Sequence, residues 1–275
     1  MEHVTDVVVP ARARKPLAWL LAITAVGGSL FVMDSGFAMH AEHSISQRVK
    51  EESKLENSPE VFVGGMPYLG AAVTNEIPLI EVKSLDVEVP HLGMINAQTT
   101  LRDITVTADQ LTSGNFAGAS VSTFSRAITL DGVALGRLLS ITDLSIANPD
   151  NISPTGGMAS EAELSGTVAG AKEPTRVRVT LRLVGERFYM RPVEILELAK
   201  GTSEEEATKA FELELDTRQL PLPAQATAVR LQGGGITFET QRRNTHLQPG
   251  QLAPIEIAGD YDSDGREVND ENSGA

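Results

Sequence analysis

From residue 59 to about residue 243, hydrophobic and polar positions alternate with a period of two, the pattern of strands buried on one face. TRVRVTLRL, residues 175–183, shows it most plainly: Val177, Val179, Leu181 and Leu183 share one parity, and Arg176, Arg178, Thr180 and Arg182 the other. One face of such a strand is core and the other is wet, which predicts antiparallel pairing. Further alternating runs fall at 79–89, 103–108, 127–132, 162–169, 226–232 and 235–240. In LIEVKSLDVEV, residues 79–89, the apolar parity changes near Lys83-Ser84, from Ile80 and Val82 to Leu85, Val87 and Val89. A β-bulge produces that slip and bends its strand. Together the runs predict a large, curved antiparallel sheet.

Helical spacing is confined to three places. GVALGRLLS (132–140) and SEEEATKAF (203–211) each predict a short helix, the second opening with Ser203 as N-cap and Glu204, Glu205 and Glu206 at the positive end of the helix dipole. Ahead of the strands, Phe37, Ala41, Ile45, Val49 and Leu55 recur through residues 34–58 as the narrow apolar stripe of a polar helix, which Asn57-Ser58-Pro59 ends. Before it, residues 17–33 (LAWLLAITAVGGSLFVM) are uncharged and follow Arg12, Arg14 and Lys15. A helix of that length rises about 26 Å against a hydrocarbon core of roughly 30 Å. The run therefore reads either as a membrane anchor or as a long signal-peptide core cleaved after Ala38. Its basic flank keeps residues 1–16 cytoplasmic and exports the rest to the periplasmic side.

Composition narrows the function classes. A net charge of -14 is the wrong sign for neutralising phosphates, so nucleic acid is not an expected partner. The absence of cysteine removes disulfides, thiolate metal sites and a thiol nucleophile. The histidines are His3, His40, His43, His91 and His246; His40 and His43 share a helix face, with no carboxylate in a zinc-binding array beside them. The acid pairs Glu161/Glu163, Asp86/Glu88 and Glu212/Glu214 each share one strand face instead of facing each other across a cleft, as glycoside hydrolysis requires. GGG at 233–235 lies between two strands and suits a hairpin turn better than a nucleotide. No catalytic set emerges, so neither an enzyme nor a cofactor is expected.

Three features remain. Arg176, Arg178 and Arg182, with Arg187 and Arg191 on the next strand, form a cationic face: solvated strand charges, or a patch for anionic headgroups. Asp260, Asp262, Asp264, Gly265 and Glu271 match the spacing of a calcium loop, yet the flanking helices are missing and residues 259–275 otherwise read as a disordered acidic tail. VFVGGMPYLG, residues 61–70, carries no reactive group; it offers Phe62, Met66, Tyr68 and Leu69 around a Gly-Gly-x-Pro turn, either as apolar surface at the mouth of a groove or as core.

Taken with its preceding residues, PEVFVGGMPYLG (59–70) resembles the LmeA-like phospholipid-binding family of actinobacterial envelope proteins, in which a strand is followed by a Gly-aromatic-Pro-aromatic-Leu turn. Met66 stands where an aromatic is usual. LIEVKSLDVEVP (79–90), DGVALGRLL (131–139), LPLP (220–223) and VRLQGGGITFETQ (229–241) support the match, which spans about residues 17–243. The resemblance implies an α+β fold like that of the bactericidal/permeability-increasing proteins: a curved antiparallel sheet, within a domain at 59–258, wrapped against a helix around an apolar groove. It also implies binding of phosphatidylinositol-type lipids in support of mannan elongation on lipomannan, beside envelope glycosyltransferases. On that reading Phe62, Met66, Tyr68 and Leu69 meet the acyl chains and Arg176, Arg178 and Arg182 the headgroup. The alternative is an envelope scaffold that binds no lipid.

Overall fold

The apolar run and the polar stripe form one continuous helix, α1 (Arg14–Glu52), long and apolar enough to cross a membrane. The computed structural model describes residues 14–53, 55, 57–65, 67–149 and 160–255. Trp19, Ile23, Val26, Leu30 and Val32 point away from the rest of the chain. Burial begins at Asp34 and continues through half-buried Ala38 to Ala41, Ile45 and Val49, each about one turn beyond the last, so the docked stripe is that of an i, i+3/i+4 helix face. Phe37, expected in this stripe, is instead exposed.

After α1 come β1 (Glu60–Gly64), α2 (Ala71–Thr74), β2 (Glu76–Val89), β3 (Gly93–Thr105), α3 (Ala108–Ser113), β4 (Ser120–Leu130), α4 (Gly132–Leu139), β5 (Ser145–Ala147) and β6 (Glu161–Gly166). Then follow β7 (Thr175–Val184), β8 (Arg187–Glu197), α5 (Glu204–Ala210), β9 (Leu213–Asp216), β10 (Ala228–Gln232) and β11 (Gly235–His246). The expected single sheet is two antiparallel sheets, a curled one ordered β1-β2-β3-β4-β11-β10 and a second ordered β5-β6-β7-β8-β9. Alternation reports which face of a strand is buried; it carries no information about which neighbour the strand pairs with.

Local chemistry explains most boundaries. Asp131 caps α4 by accepting from the amides of Val133 and Ala134, and Ser203 caps α5 in a capping box with Glu206. The β10–β11 hairpin turns at Gly233 and Gly234, whose φ values of 61° and 76° favour glycine. The slip in β2 is a bulge between Ser84 and Val87, at which the Asp86 amide donates to Asn96 Oδ1 at 3.2 Å. It turns Leu85 outward, to 66% exposure.

The curled sheet buries one face along its whole length, with different covers at its two ends. On the helix side, Ile80, Val82, Leu101, Ile104, Val121 and Phe124 pack with Ala41, Ile45 and Val49 of α1 and Leu111 of α3. At the other end, Ile95, Ile128, Leu130, Ile236 and Phe238 pack with Val177, Val179, Phe188 and Met190 of the second sheet. Phe188 and Phe238 meet edge to face, ring centroids 4.9 Å apart and planes at 85°. Phe238→Ala opens a cavity between the two sheets and lowers unfolding free energy by about 3–5 kcal/mol, measurable by urea denaturation.

Candidate functional site

Between the two clusters, the apolar face of the curled sheet carries buried polar residues, among them Thr99, Arg126 and Thr240. Thr99 on β3 and Arg126 on β4 pair across the ladder at fully buried positions, and Arg126 is 1% exposed. The Arg126 guanidinium stands over the Phe124 ring at 5.5 Å and its Nε donates to Thr99 Oγ1 at 3.3 Å. Residues 248–255 lie across this pair as a strap. Arg126 Nη2 donates to the carbonyl of Gln251 at 3.0 Å, and Thr99 Oγ1 donates to that of Ala253 at 2.8 Å. Leu252 belongs to the helix-side cluster while Ile255 packs on the other, so the strap bridges both.

Where the strap ends, a cleft of about 430 Å³ opens between the C-terminal end of α1 and the β2 bulge, lined by Ser53, Leu55, Ser84, Val87, Met94 and Ile255 among others. Its walls mix the apolar Leu55, Leu85, Val87, Met94 and Ile255 with two buried hydroxyls, and Asn57, Glu60, Lys83, Asp86 and Glu88 line it as well. Ser53 Oγ and Ser84 Oγ have no hydrogen-bond partner among the described residues. Such orphaned groups cost free energy until an acceptor or donor reaches them, which suits a ligand with ester oxygens and an apolar body.

The segment at 61–70 divides. Phe62 faces outward from β1 at 52% exposure, and Leu69 is exposed at 37%. Tyr68, placed by one sequence reading on the apolar surface, is 4% exposed: its ring packs in the helix-side cluster, and its hydroxyl donates to the Leu111 carbonyl at 3.1 Å. Burial pushes its phenol pKa upward. The turn is held by α1, because Asp34 accepts from the amides of Tyr68 at 2.9 Å and Leu69 at 2.7 Å. Met66 lies outside the described residues, as do Asp260, Asp262, Asp264 and Glu271 of the calcium-loop spacing.

The cationic face is charge-balanced. Arg176 pairs with Glu163 at 3.2 Å and Glu197 at 3.8 Å, and Arg178 with Glu163 at 3.5 Å and Glu194 at 2.9 Å. Arg187 and Arg191 pair with Glu214 and Glu212. Arg182 is exposed, with no ion pair among the described residues. Cross-strand register brings these acids beside the arginines, and register is what a single strand's sequence leaves out.

The open trough of the curled sheet is also unlike the expectation. It holds about 420 Å³ and is lined by Gln98, Thr100, Ser125, Thr129, Thr237 and Glu239 among others, the polar parity of the strands. Its groups engage one another: Thr129 and Thr237 hydroxyls meet at 2.8 Å, and Glu239 takes Ser125 and Arg230. The expected apolar groove is therefore not this trough, since α1 and the second sheet already cover the face with the apolar side chains. Sequence reasoning missed Thr99 and Arg126 entirely; the signal lay in two polar residues at core parity.

A family profile described as LmeA-like phospholipid-binding matches residues 32–241. No curated protein and no solved structure matches the chain. Asp34→Ala removes two charge-assisted hydrogen bonds and leaves two amides unpaired, which lowers stability by about 2–3 kcal/mol in chemical denaturation. Tyr68→Ser destabilises the fold strongly by the same measurement, whereas Phe62→Ser and Leu69→Ser stay within about 0.5 kcal/mol of the parent.

Proposed function

The chain belongs to the LmeA-like phospholipid-binding family, and from that premise we propose that it is a membrane-tethered, extracytoplasmic lipid-binding protein that takes up a phosphatidylinositol-type lipid and supports lipomannan elongation. The cleft at the end of α1 carries this reading. Its Leu55, Val87, Met94 and Ile255 give methylenes an apolar wall, each methylene worth about 0.8 kcal/mol when buried, and Ser53 and Ser84, without a hydrogen-bond partner among the described residues, offer hydroxyls to the oxygens of the glycerol esters. The protein acts by holding lipid, without a chemical step.

Asp34 supports retention of the apolar helix. Cleavage after Ala38 would detach the carboxylate that holds the Tyr68–Leu69 turn, so an anchored chain keeps a contact that a cleaved one loses. Near the level of Asp34, Leu69 and the 85% exposed Val73 turn outward, a pair that would face the bilayer surface, and the exposed Phe62 offers a further contact for acyl chains. Ser53 stands about 28 Å farther along α1, so a lipid in the cleft is held clear of the bilayer. Arg182, without an ion pair among the described residues, is the one of the three that would meet an anionic headgroup at no cost in ion pairs, whereas Arg176 and Arg178 would first have to leave their glutamates. The polar trough favours a second reading, a scaffold whose open sheet face docks an envelope glycosyltransferase.

Native mass spectrometry of the full chain in non-ionic detergent, after incubation with phosphatidylinositol vesicles, is expected to show a single bound lipid. Met94→Trp narrows the cleft from its exposed wall and lowers the bound fraction about fivefold, close to 1 kcal/mol, with little change in Tm. A parent chain that stays empty would leave the scaffold reading in possession.

A further inference from the structure

We infer that Thr99 and Arg126 form the recognition point for the phosphodiester oxygens of a bound diacyl phospholipid, and that the strap at 248–255 occupies this point until lipid displaces it. The inference rests on the phospholipid-binding reading and adds its polar contacts and its gate. Both residues lie within the family-matched region, 32–241, and the strap lies beyond it.

The strap is attached in a way that permits exchange. Its neighbour Leu247 still belongs to the framework, donating to the Ala119 carbonyl at 2.8 Å and accepting from Gly118 at 2.7 Å. Beyond it the backbone turns on itself, with the Gln251 amide on the Gln248 carbonyl and the Ala253 amide on the Gly250 carbonyl. The strap then reaches the sheet through two carbonyls, on Arg126 and Thr99, and through buried Leu252, Ala253 and Pro254 with Ile255 beside them. A segment without ladder pairing opens at a fraction of the global unfolding free energy.

What the strap occupies has the shape of a lipid's own chemistry. Four apolar residues in a row fill the gap between the two clusters where methylenes would lie, and two carbonyl oxygens take hydrogen bonds that lipid oxygens would accept. Ile255 lines the 430 Å³ cleft, so removing the strap joins cleft and seam into one channel. A phosphodiester oxygen on the guanidinium makes a hydrogen bond charged on both sides, roughly twice as strong as one to a neutral carbonyl. Lipid thus offers the seam a hydrogen bond in place of the Gln251 carbonyl and acyl chains in place of Leu252 and Ile255 against the same walls.

Hydrogen–deuterium exchange on the full chain in non-ionic detergent, with native mass spectrometry on the same samples, tests this with dioleoyl phosphatidylinositol and, separately, glycerol 3-phosphate. The diacyl lipid is expected to speed exchange at residues 249–255 by about tenfold or more while the Leu247 amide stays protected, and glycerol 3-phosphate to leave both unchanged. Leu252→Ser with Ile255→Ser loosens the strap and raises the lipid-bound fraction several-fold at limiting lipid, with β4 amides still protected as the check on folding. Arg126→Lys keeps the charge but loses the planar fork, and binds lipid several-fold more weakly. Lipid bound with strap protection unchanged overturns the inference and leaves the phospholipid-binding reading intact. Opening by glycerol 3-phosphate alone overturns the part assigned to the acyl chains. No lipid bound by either the parent or the strap variant overturns both readings.

Discussion

The constraint on which this architecture depends is the length of one apolar sheet face. β2 and β3 are 14 and 13 residues long, so the face they share with β4 and β11 extends about 40 Å, more than one α-helix docked across it can cover. The chain solves this with two covers of different kinds: the C-terminal half of α1 at one end and a second sheet at the other. Each cover buries its own cluster, and the clusters meet at a seam that neither reaches. Thr99, Arg126 and the strap sit at that seam, together with the Leu55 side chain that packs against both clusters. A buried arginine in such a place is costly unless its donors are taken, and the carbonyl of Gln251 is one of the acceptors that make it tolerable.

The helix joins a segment long and apolar enough to cross a membrane to this fold by the same economy of contacts. α1 passes from an exposed apolar half to a docked half at Asp34, and that carboxylate grips two consecutive amides of the turn between β1 and α2. The apolar half of α1 and the domain are thus joined through a continuous helix and a buried acid, an arrangement that fixes the orientation of the domain relative to α1. The outer surfaces follow a different logic. Arginines and glutamates of the second sheet neutralise each other in cross-strand pairs, and the trough of the curled sheet is knit by hydroxyl, amide and carboxylate groups. Exposed pairs of this kind contribute little to stability each, about 0–1 kcal/mol, and chiefly keep the surface from presenting a single sign of charge.

Much of this was legible in the chain. The period of two located most of the strands, the parity slip located the bulge in β2, Ser203 marked a helix start, and the turn at 59–70 pointed to the family that residues 32–241 bear out. β3 and β4 were underestimated because Thr99 and Arg126 interrupt the apolar parity; the same polar residues that hid the strands are those of the candidate site. The segment 61–70 was ambiguous between surface and core for a physical reason: its Gly-Gly-x-Pro turn sets no periodicity, so only the Asp34 contact decides that Tyr68 points inward and Leu69 outward.

By itself, then, the sequence determined the local facts: which residues prefer strand or helix, which face of each is apolar, where the chain turns, and that one stretch is apolar enough for a membrane. These depend on neighbours within a few positions, and a linear pattern records them. Only the tertiary structure decided that the strands divide into two sheets, that the arginines of β7 stand beside acids, that the apolar face is filled while the open trough is polar, and that residues 248–255 return to cover residues more than a hundred positions earlier. Pairing and coverage are set by competition among surfaces distant in the chain, each seeking the partner that removes most apolar area from water, and no local spacing encodes which of them wins.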